Sequence, residues 1–453
     1  MNSGAKKDPT SFVAAELILL CAGMAIVLST FEAAIHADGG ARFAAVQKLM
    51  RGEVPSFKFS LVQPVLTVPL VYVGRFLYIG IWTVVTHFNT LVFLAFALPI
   101  WLKLGQLFNP RLATRALLLL LCASMLPHHL QHYYGEVLSA MAITTGFLYA
   151  RDRPVWAVVS LAIGVANMPV LLVPVGLAAV LLFRQAQSVM IGTVAAALLI
   201  AVELYVKFGT VFSSPYLEAG EKGYQTVLPY SGLAGFSYPV FFGVLSVLFS
   251  FGKGLVWFIP GLLLFFDRQV AGRLRVTGTA AGWALAAFCI AIVLVYSPWW
   301  AWYGGDFWGP RFFLILSLPA SLALAVATIS PGTRTRLWLT MLVLTLSVWV
   351  GINGAIFGQQ SMGVCWGNDY ALEFLCWYVP EFSALWRPFV THGLWALPGA
   401  IWNSHHNSFA LWQIVAWSYL SLSVTREFTS TRIESRTAPR TDTPAGGGSD
   451  AGP

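Results

Sequence analysis

The feature that most limits what this chain can fold into is the recurrence of apolar runs close to the length of a bilayer crossing, beginning with Phe12 to Phe31 and continuing through most of the sequence. A span needs about 20 apolar residues, and on that ruler the chain offers about twelve candidate crossings, some of them short. A soluble core could not absorb this much apolar surface: 57% of the 453 residues are hydrophobic and 10% are charged, and the mean hydropathy is +0.72. The expectation is an all-α, polytopic transmembrane bundle. The first run is followed by further runs of the same kind, so it reads as a first span and not as a cleaved signal peptide.

The formal charge of +8 does not require nucleic acid, because the basic residues stand in short clusters between apolar runs, as they do in cytoplasmic loops. These clusters are Lys6-Lys7, Arg111-Arg115, Arg151-Arg153, Arg184, Arg268-Arg275, Arg334-Arg336 and the Arg426-Arg440 tail. If all are cytoplasmic, an even number of crossings separates any two. That condition holds when Phe59 to Thr86 stays outside as an interfacial segment and the second span runs from about Asn89 to Gly105. Five segments are then extracytoplasmic: Ala33 to Thr86, Pro127 to Tyr134, Phe208 to Phe251, Ser297 to Arg311 and Phe357 to Ser404. The expected location is the inner (cytoplasmic) membrane, multi-pass, with both termini in the cytoplasm. Val155 to Phe183 has cytoplasmic charge at both ends and is interrupted by Asn167 and Pro169, which predicts a pair of half-length or re-entrant helices.

The outer segments hold the polar residues that need a reason. Asp38 lies just beyond the first span, before a short helical pattern from Ala41 to Met50. There it reads either as an N-cap or as a general base. Glu136 falls at the outer end of a span behind His128, His129 and His132. On a helix, His128 and His132 would share a face and could bind a polar head group or, given a third ligand, a metal. Lys253 stands between Gly252 and Gly254 at the mouth of a span, where its ammonium suits a phosphate or simply snorkels to the interface. In SPWWAWYGGDFWGPRFF, an aromatic belt accounts for the tryptophans but not for Gly304, Gly305, Asp306 or Arg311. A charge at membrane depth costs about 2.5 to 3.5 kcal/mol on insertion scales and faces a cavity or a partner. Arg311 is the best candidate for a bidentate phosphate contact. Of the five cysteines, only Cys365 and Cys376 share a polar loop and could form a disulfide.

Taken in order, these pieces resemble the GT-C superfamily of integral membrane glycosyltransferases, in particular bacterial members that use a polyprenyl-phosphate-linked sugar. The matching elements are Asp38 in the first outer loop, KFSLVQPVLTVPL from Lys58, Glu136 at the start of a span, SFGKGL at Ser250 to Leu255, and WYGGDFWGPRF at Trp302 to Phe312. Many relatives carry two adjacent acids in the first loop, whereas Asp38 is followed by Gly39 and the nearest other acid is Glu32. The resemblance implies a GT-C-like module at 12–330 behind a cytoplasmic N-terminus at 1–11. Beyond about residue 330 the resemblance assigns nothing; there the apolar runs and charge pattern predict C-terminal transmembrane helices at 331–424 with an outer loop at 357–404, and the Thr, Ser, Arg, Pro and Gly composition predicts a disordered cytoplasmic tail at 425–453.

It also implies sugar transfer from a polyprenyl-phosphate donor to a glycan, lipid or protein acceptor at the outer face, usually with inversion. Asp38 would be the catalytic base, and Arg311, Lys253 and Lys58 would bind the donor phosphate. Glu136, His128, His132, Trp302, Tyr303 and Asp306 would contact substrate. Mg or Mn could assist at the phosphate, but the sequence offers no firm ligand set. Two other readings fit isolated charges and broken helices: a lipid or glycolipid transporter, and an inactive partner subunit of the same fold. The absence of a repeated half and the gathering of polar residues on one side argue against the transporter.

Overall fold

The computed structural model describes residues 9–212, 226–228, 230, 233, 235–274, 279–305, 307–367 and 370–437. These residues are overwhelmingly helical. Among them β pairing is confined to a lone bridge between Ala34 and His132.

The first helix, α1 (Pro9–Thr30), is followed by α2 (Ala37–Met50), α3 (Val62–Phe76) and α4 (Ile81–Thr86). Residues 59–86 therefore form two short helices rather than a crossing. The next helix, α5 (Phe88–Leu107), closely matches the expected second span. It is followed by α6 (Pro110–Cys122), α7 (Leu126–Leu130), α8 (Glu136–Tyr149), α9 (Pro154–Asn167), α10 (Leu172–Leu182) and α11 (Gln187–Phe208). The break expected at Asn167 and Pro169 separates α9 from α10 through a 3-10 turn, Pro169–Leu171. Proline cannot donate the backbone bond that a continuous helix needs there.

The core runs along α6, whose residues from Leu112 to Cys122 are all buried, and along the helix Ser317–Ile329 packed against it. Around them lie α1, α5 and the helix Arg334–Ile356, with α8, α9 and α11 forming a neighbouring layer. Among the described residues, five helices are long and apolar enough to cross a bilayer: Phe12–Thr30, Phe88–Leu107, Gln187–Phe208, Arg311–Ile329 and Arg334–Ile356. Five shorter apolar helices of 10–17 residues accompany them. The expected bundle of about twelve crossings, some of them short, thus takes the form of long apolar helices mixed with shorter ones. Prolines divide several apolar runs into α-helix and 3-10 helix, as at Pro260–Phe266 and in Arg311–Leu316, just beyond Pro310.

At the C-terminus the helix Asn407–Thr437 continues past residue 424, where a disordered tail was expected. Glu427 on this extension pairs with Arg111 at the start of α6, which explains why the helix persists. Residues 438–453 lie outside the described residues.

The ion pairs divide the molecule as the charge pattern does. Lys103–Asp152, Arg111–Glu427 and Arg336–Asp267 join segments expected at the cytoplasmic end. Arg311–Asp38, Arg311–Glu136 and Lys207–Glu203 lie among segments expected at the other end. Among the described residues none of these pairs links one end to the other.

Candidate active site

Asp38 sits in the first turn of α2, where the helix dipole favours a carboxylate. The cap position itself falls to His36. The carboxylate is turned instead towards Arg311, whose Nη1 donates to Asp38 Oδ2 at 2.7 Å. The same nitrogen is 3.6 Å from Oε1 of Glu136, the first residue of α8. Three segments far apart in sequence therefore converge on one guanidinium. Arg311 is 8% exposed and lies over the rings of Phe307 at 4.0 Å, Phe312 at 5.1 Å and Tyr134 at 5.6 Å. Its Nε and the Oε2 of Glu136 are buried without a hydrogen-bond partner, so the cluster keeps unused polar capacity.

The backbone that presents these side chains is stitched together by asparagines. Asn89 Nδ2 donates to the carbonyls of His132 at 2.6 Å, Tyr134 at 3.1 Å and His129 at 3.3 Å. Ala34 N donates to Gln131 O at 2.8 Å and Ala33 N to Thr86 O at 2.9 Å, fastening the first outer loop to the histidine loop and to α4. Asn167 Nδ2 holds Gly135 O at 2.8 Å and Ser139 Oγ at 2.9 Å, which fixes the first turn of α8 beneath Glu136.

The loop that delivers Arg311 turns at Gly304, Gly305 and Gly309, with φ of 79°, 78° and 65°, values that glycine adopts readily. Lys253 is 1% exposed, and its ammonium donates to the carbonyls of Gly305 at 3.0 Å, Phe307 and Gly309 at 3.4 Å. It thereby shapes this loop. Trp308 is anchored by Asn353 Oδ1 at 2.8 Å from its Nε1 and by Gln359 Oε1 at 2.9 Å from its backbone N. Trp302 and Tyr303 are buried, and Tyr303 stacks on Trp377 at 3.8 Å. Trp377 directly follows Cys376, whose disulfide to Cys365 has a Cα–Cα distance of 6.1 Å. This segment lies directly on the Gly252 turn: Gly252 N donates to Trp377 O at 3.0 Å, and a Cβ at Gly252 would meet Cys376 O at 1.6 Å. Asp306 lies outside the described residues.

His128 and His132 are brought together with ring centroids 4.4 Å apart, and His132 stacks on Tyr134. His128, His129 and His132 are all buried. Burial is the largest cause holding their pKa values well below the ordinary range, followed by the nearby positive charges. They are neutral at pH 7. No group of three or more His, Cys, Asp or Glu among the described residues is arranged to hold a metal ion. Lys58 is exposed, with its ammonium 5.2 Å from the Phe59 ring.

The sequence reading did not single out Arg42, although it stands four residues after Asp38 and so on the same helical face. Nor did it find the clamp at the end of α11. There Glu203 accepts from Ser60 Oγ at 2.8 Å and Leu61 N at 3.0 Å, while Lys207 donates to Phe59 O at 2.7 Å. A Glu and a Lys four residues apart near the end of an apolar run were the available signal.

No family model and no curated protein matches the chain. Among solved structures, one similar to it is ArnT from Cupriavidus metallidurans bound to undecaprenyl phosphate. The match has 13% identity, covers 95% of this chain and 79% of that one, and gives a TM-score of 0.49. The archaeal oligosaccharyltransferase AglB from Archaeoglobus fulgidus, in complex with an inhibitory peptide and a dolichol-phosphate, matches at 14% identity over 82% of this chain and 60% of that one, with a TM-score of 0.45. The apo form of the Archaeoglobus fulgidus oligosaccharyltransferase matches at 12% identity over 84% and 61%, with a TM-score of 0.43. Likeness at this level assigns neither a family nor an activity.

Proposed function

We propose that the chain is a membrane glycosyltransferase that moves a sugar from a polyprenyl-phosphate donor to an acceptor at the extracytoplasmic face, with inversion at the anomeric carbon. The observation that carries this reading is the convergence of Asp38, Glu136 and Arg311 at the end of the bundle where the charge pattern expects the outer loops. These are three of the positions at which the sequence resembles the polyprenyl-phosphate-dependent enzymes.

In the reaction, the acceptor oxygen attacks the anomeric carbon and its proton passes to the Asp38 carboxylate. The bond between that carbon and the phosphate oxygen breaks, and its electron pair leaves with the phosphate. Arg311 stabilises the growing charge; its Nε has no partner, so it can take a phosphate oxygen while Nη1 keeps Asp38. Lys58 approaches the phosphate from the membrane side of the first outer loop. Lys253 serves it indirectly, by fixing the loop that presents Arg311. Glu136 orients Arg311, and His128, His132 and Tyr303 form the buried wall behind the sugar.

The test is sugar transfer by the purified protein from a panel of polyprenyl-phosphate hexoses and pentoses, beside Asp38→Asn and Arg311→Ala. Transfer by the wild type that falls by roughly 100-fold or more in both variants is expected. Folded wild-type protein that transfers no sugar from any donor would refute the reading.

A further inference from the structure

Behind Arg311 lies a second guanidinium with no assigned task. Arg42 is one turn beyond Asp38 on α2 and is 5% exposed. Its Nε and Nη1 are buried without a hydrogen-bond partner, and no ion pair joins it to a carboxylate among the described residues. Such a group is costly to bury, because burial strips its water and nothing replaces the lost bonds. Structural arginines in this protein look different: Arg115, equally buried, is held by Glu16 and Ser423.

Two further cations stand in the surroundings of Arg42. Its guanidinium stands 5.1 Å from the Phe59 ring, and Lys58 stands 5.2 Å from the same ring. Lys207 lies 4.9 Å from the neighbouring Phe57 ring. The one described carboxylate bonded in this corner, Glu203, already accepts from Lys207, Ser60 and Leu61. On its other side Arg42 faces Gly135, where a Cβ would come within 2.8 Å of Nη2. The absent side chain gives the guanidinium room beside the turn that carries Glu136.

We infer that Arg42 is a second anion-binding residue of the candidate site, taking phosphate oxygens in the corner between α2, residues 57–61 and the end of α11. This rests on the reading of the site as one for a phosphate-linked donor, and it assigns that phosphate a guanidinium not already committed to Asp38 and Glu136. Each of its two unpartnered nitrogens, Nε and Nη1, can donate to an anionic oxygen, and a guanidinium suits phosphate. The chemistry is the same whether the phosphate heads a polyprenyl lipid or is free in solution.

The test uses the full-length protein in lipid nanodiscs, with thermal unfolding as the readout and two probes, inorganic phosphate and undecaprenyl monophosphate. Without either probe, Arg42→Gln should unfold at or above the wild-type temperature, since it removes an unpaired buried charge; a merely structural arginine would give a lower temperature. Undecaprenyl monophosphate should stabilise the wild type, with at least tenfold weaker apparent affinity in Arg42→Gln and an intermediate value in Arg42→Lys. A matching response to inorganic phosphate assigns free phosphate as a sufficient ligand; a response to the lipid alone assigns the lipid headgroup. The inference is overturned if neither probe stabilises the wild type, or if Arg42→Gln and Arg42→Lys both respond as the wild type does. Sugar transfer with Arg42-independent phosphate binding sinks this inference alone, whereas Arg42-dependent binding without any transfer sinks only the glycosyltransferase reading.

Discussion

At the scale of single residues, the site is held by groups whose neighbours leave them little choice of position. Gly135 separates Arg42 from Asn167, and a Cβ there would lie 2.8 Å from a nitrogen of each. Gly135→Ala should therefore displace both, at a cost of about 1 to 3 kcal/mol, read as a lower unfolding temperature; an unchanged temperature would show that the corner can relax. The buried histidines give a pH dependence of known sign. Because the folded protein holds His128, His129 and His132 neutral, stability is level above their ordinary pKa of about 6.5. Below it the unfolded chain takes up protons that the folded chain refuses. Stability then falls as pH drops, by about 1.4 kcal/mol per pH unit for each histidine. Unfolding scans at pH 7.5 and 5.5 check this, and equal temperatures would contradict it. At this scale the sequence singled out Asp38, Glu136 and Arg311 as charges where apolar runs meet loops, and the structure brings the three together. The sequence was a poor guide to Arg42, because one basic residue in a polar loop carries no mark of being buried.

At the scale of elements, the loops of the candidate site are braced from behind. The disulfide between Cys365 and Cys376 fixes the segment that covers Trp302 and Tyr303 and meets the Gly252 turn. Replacing both cysteines with serine should cost about 3 kcal/mol, the value expected for closing a loop of this order. Increased protease cleavage between residues 357 and 386 is the expected sign, and unaltered cleavage would argue that packing alone holds the loop. The break between α9 and α10 was legible because Asn and Pro punctuate the run. The 3-10 stretches at Pro260–Phe266 and Arg311–Leu316 were not. An apolar run has the same composition whether it is wound at 3.6 residues per turn or three, so composition does not mark where one winding gives way to the other.

At the scale of the whole molecule, α1, α6 and the last helix are joined by one buried charge. Arg115 donates from Nε to Glu16 at 2.9 Å and from Nη2 to Ser423 at 2.9 Å, and both charged side chains are fully buried. Glu16→Gln strands the arginine and should cost about 3 to 5 kcal/mol, whereas replacing the pair together by Leu and Met should restore most of the loss. Unfolding temperatures of the single and double variants decide this; equal loss in both would mean that the charge itself is needed. The sequence foretold that these segments share one end, through the charge pattern, but not which helices touch. Lateral order inside a bundle depends on matching surfaces that composition does not record.

The bond between Arg311 and Asp38 spans 273 positions of the chain. At ribosomal speeds of about 5 to 20 residues per second, Asp38 waits roughly 15 to 55 s after its own synthesis before Arg311 exists to meet it. Until then Asp38 has no Arg311 to pair with, and Glu136 at the start of α8 stands in the same position. The bond that ties these segments together can close only after most of the chain has been made.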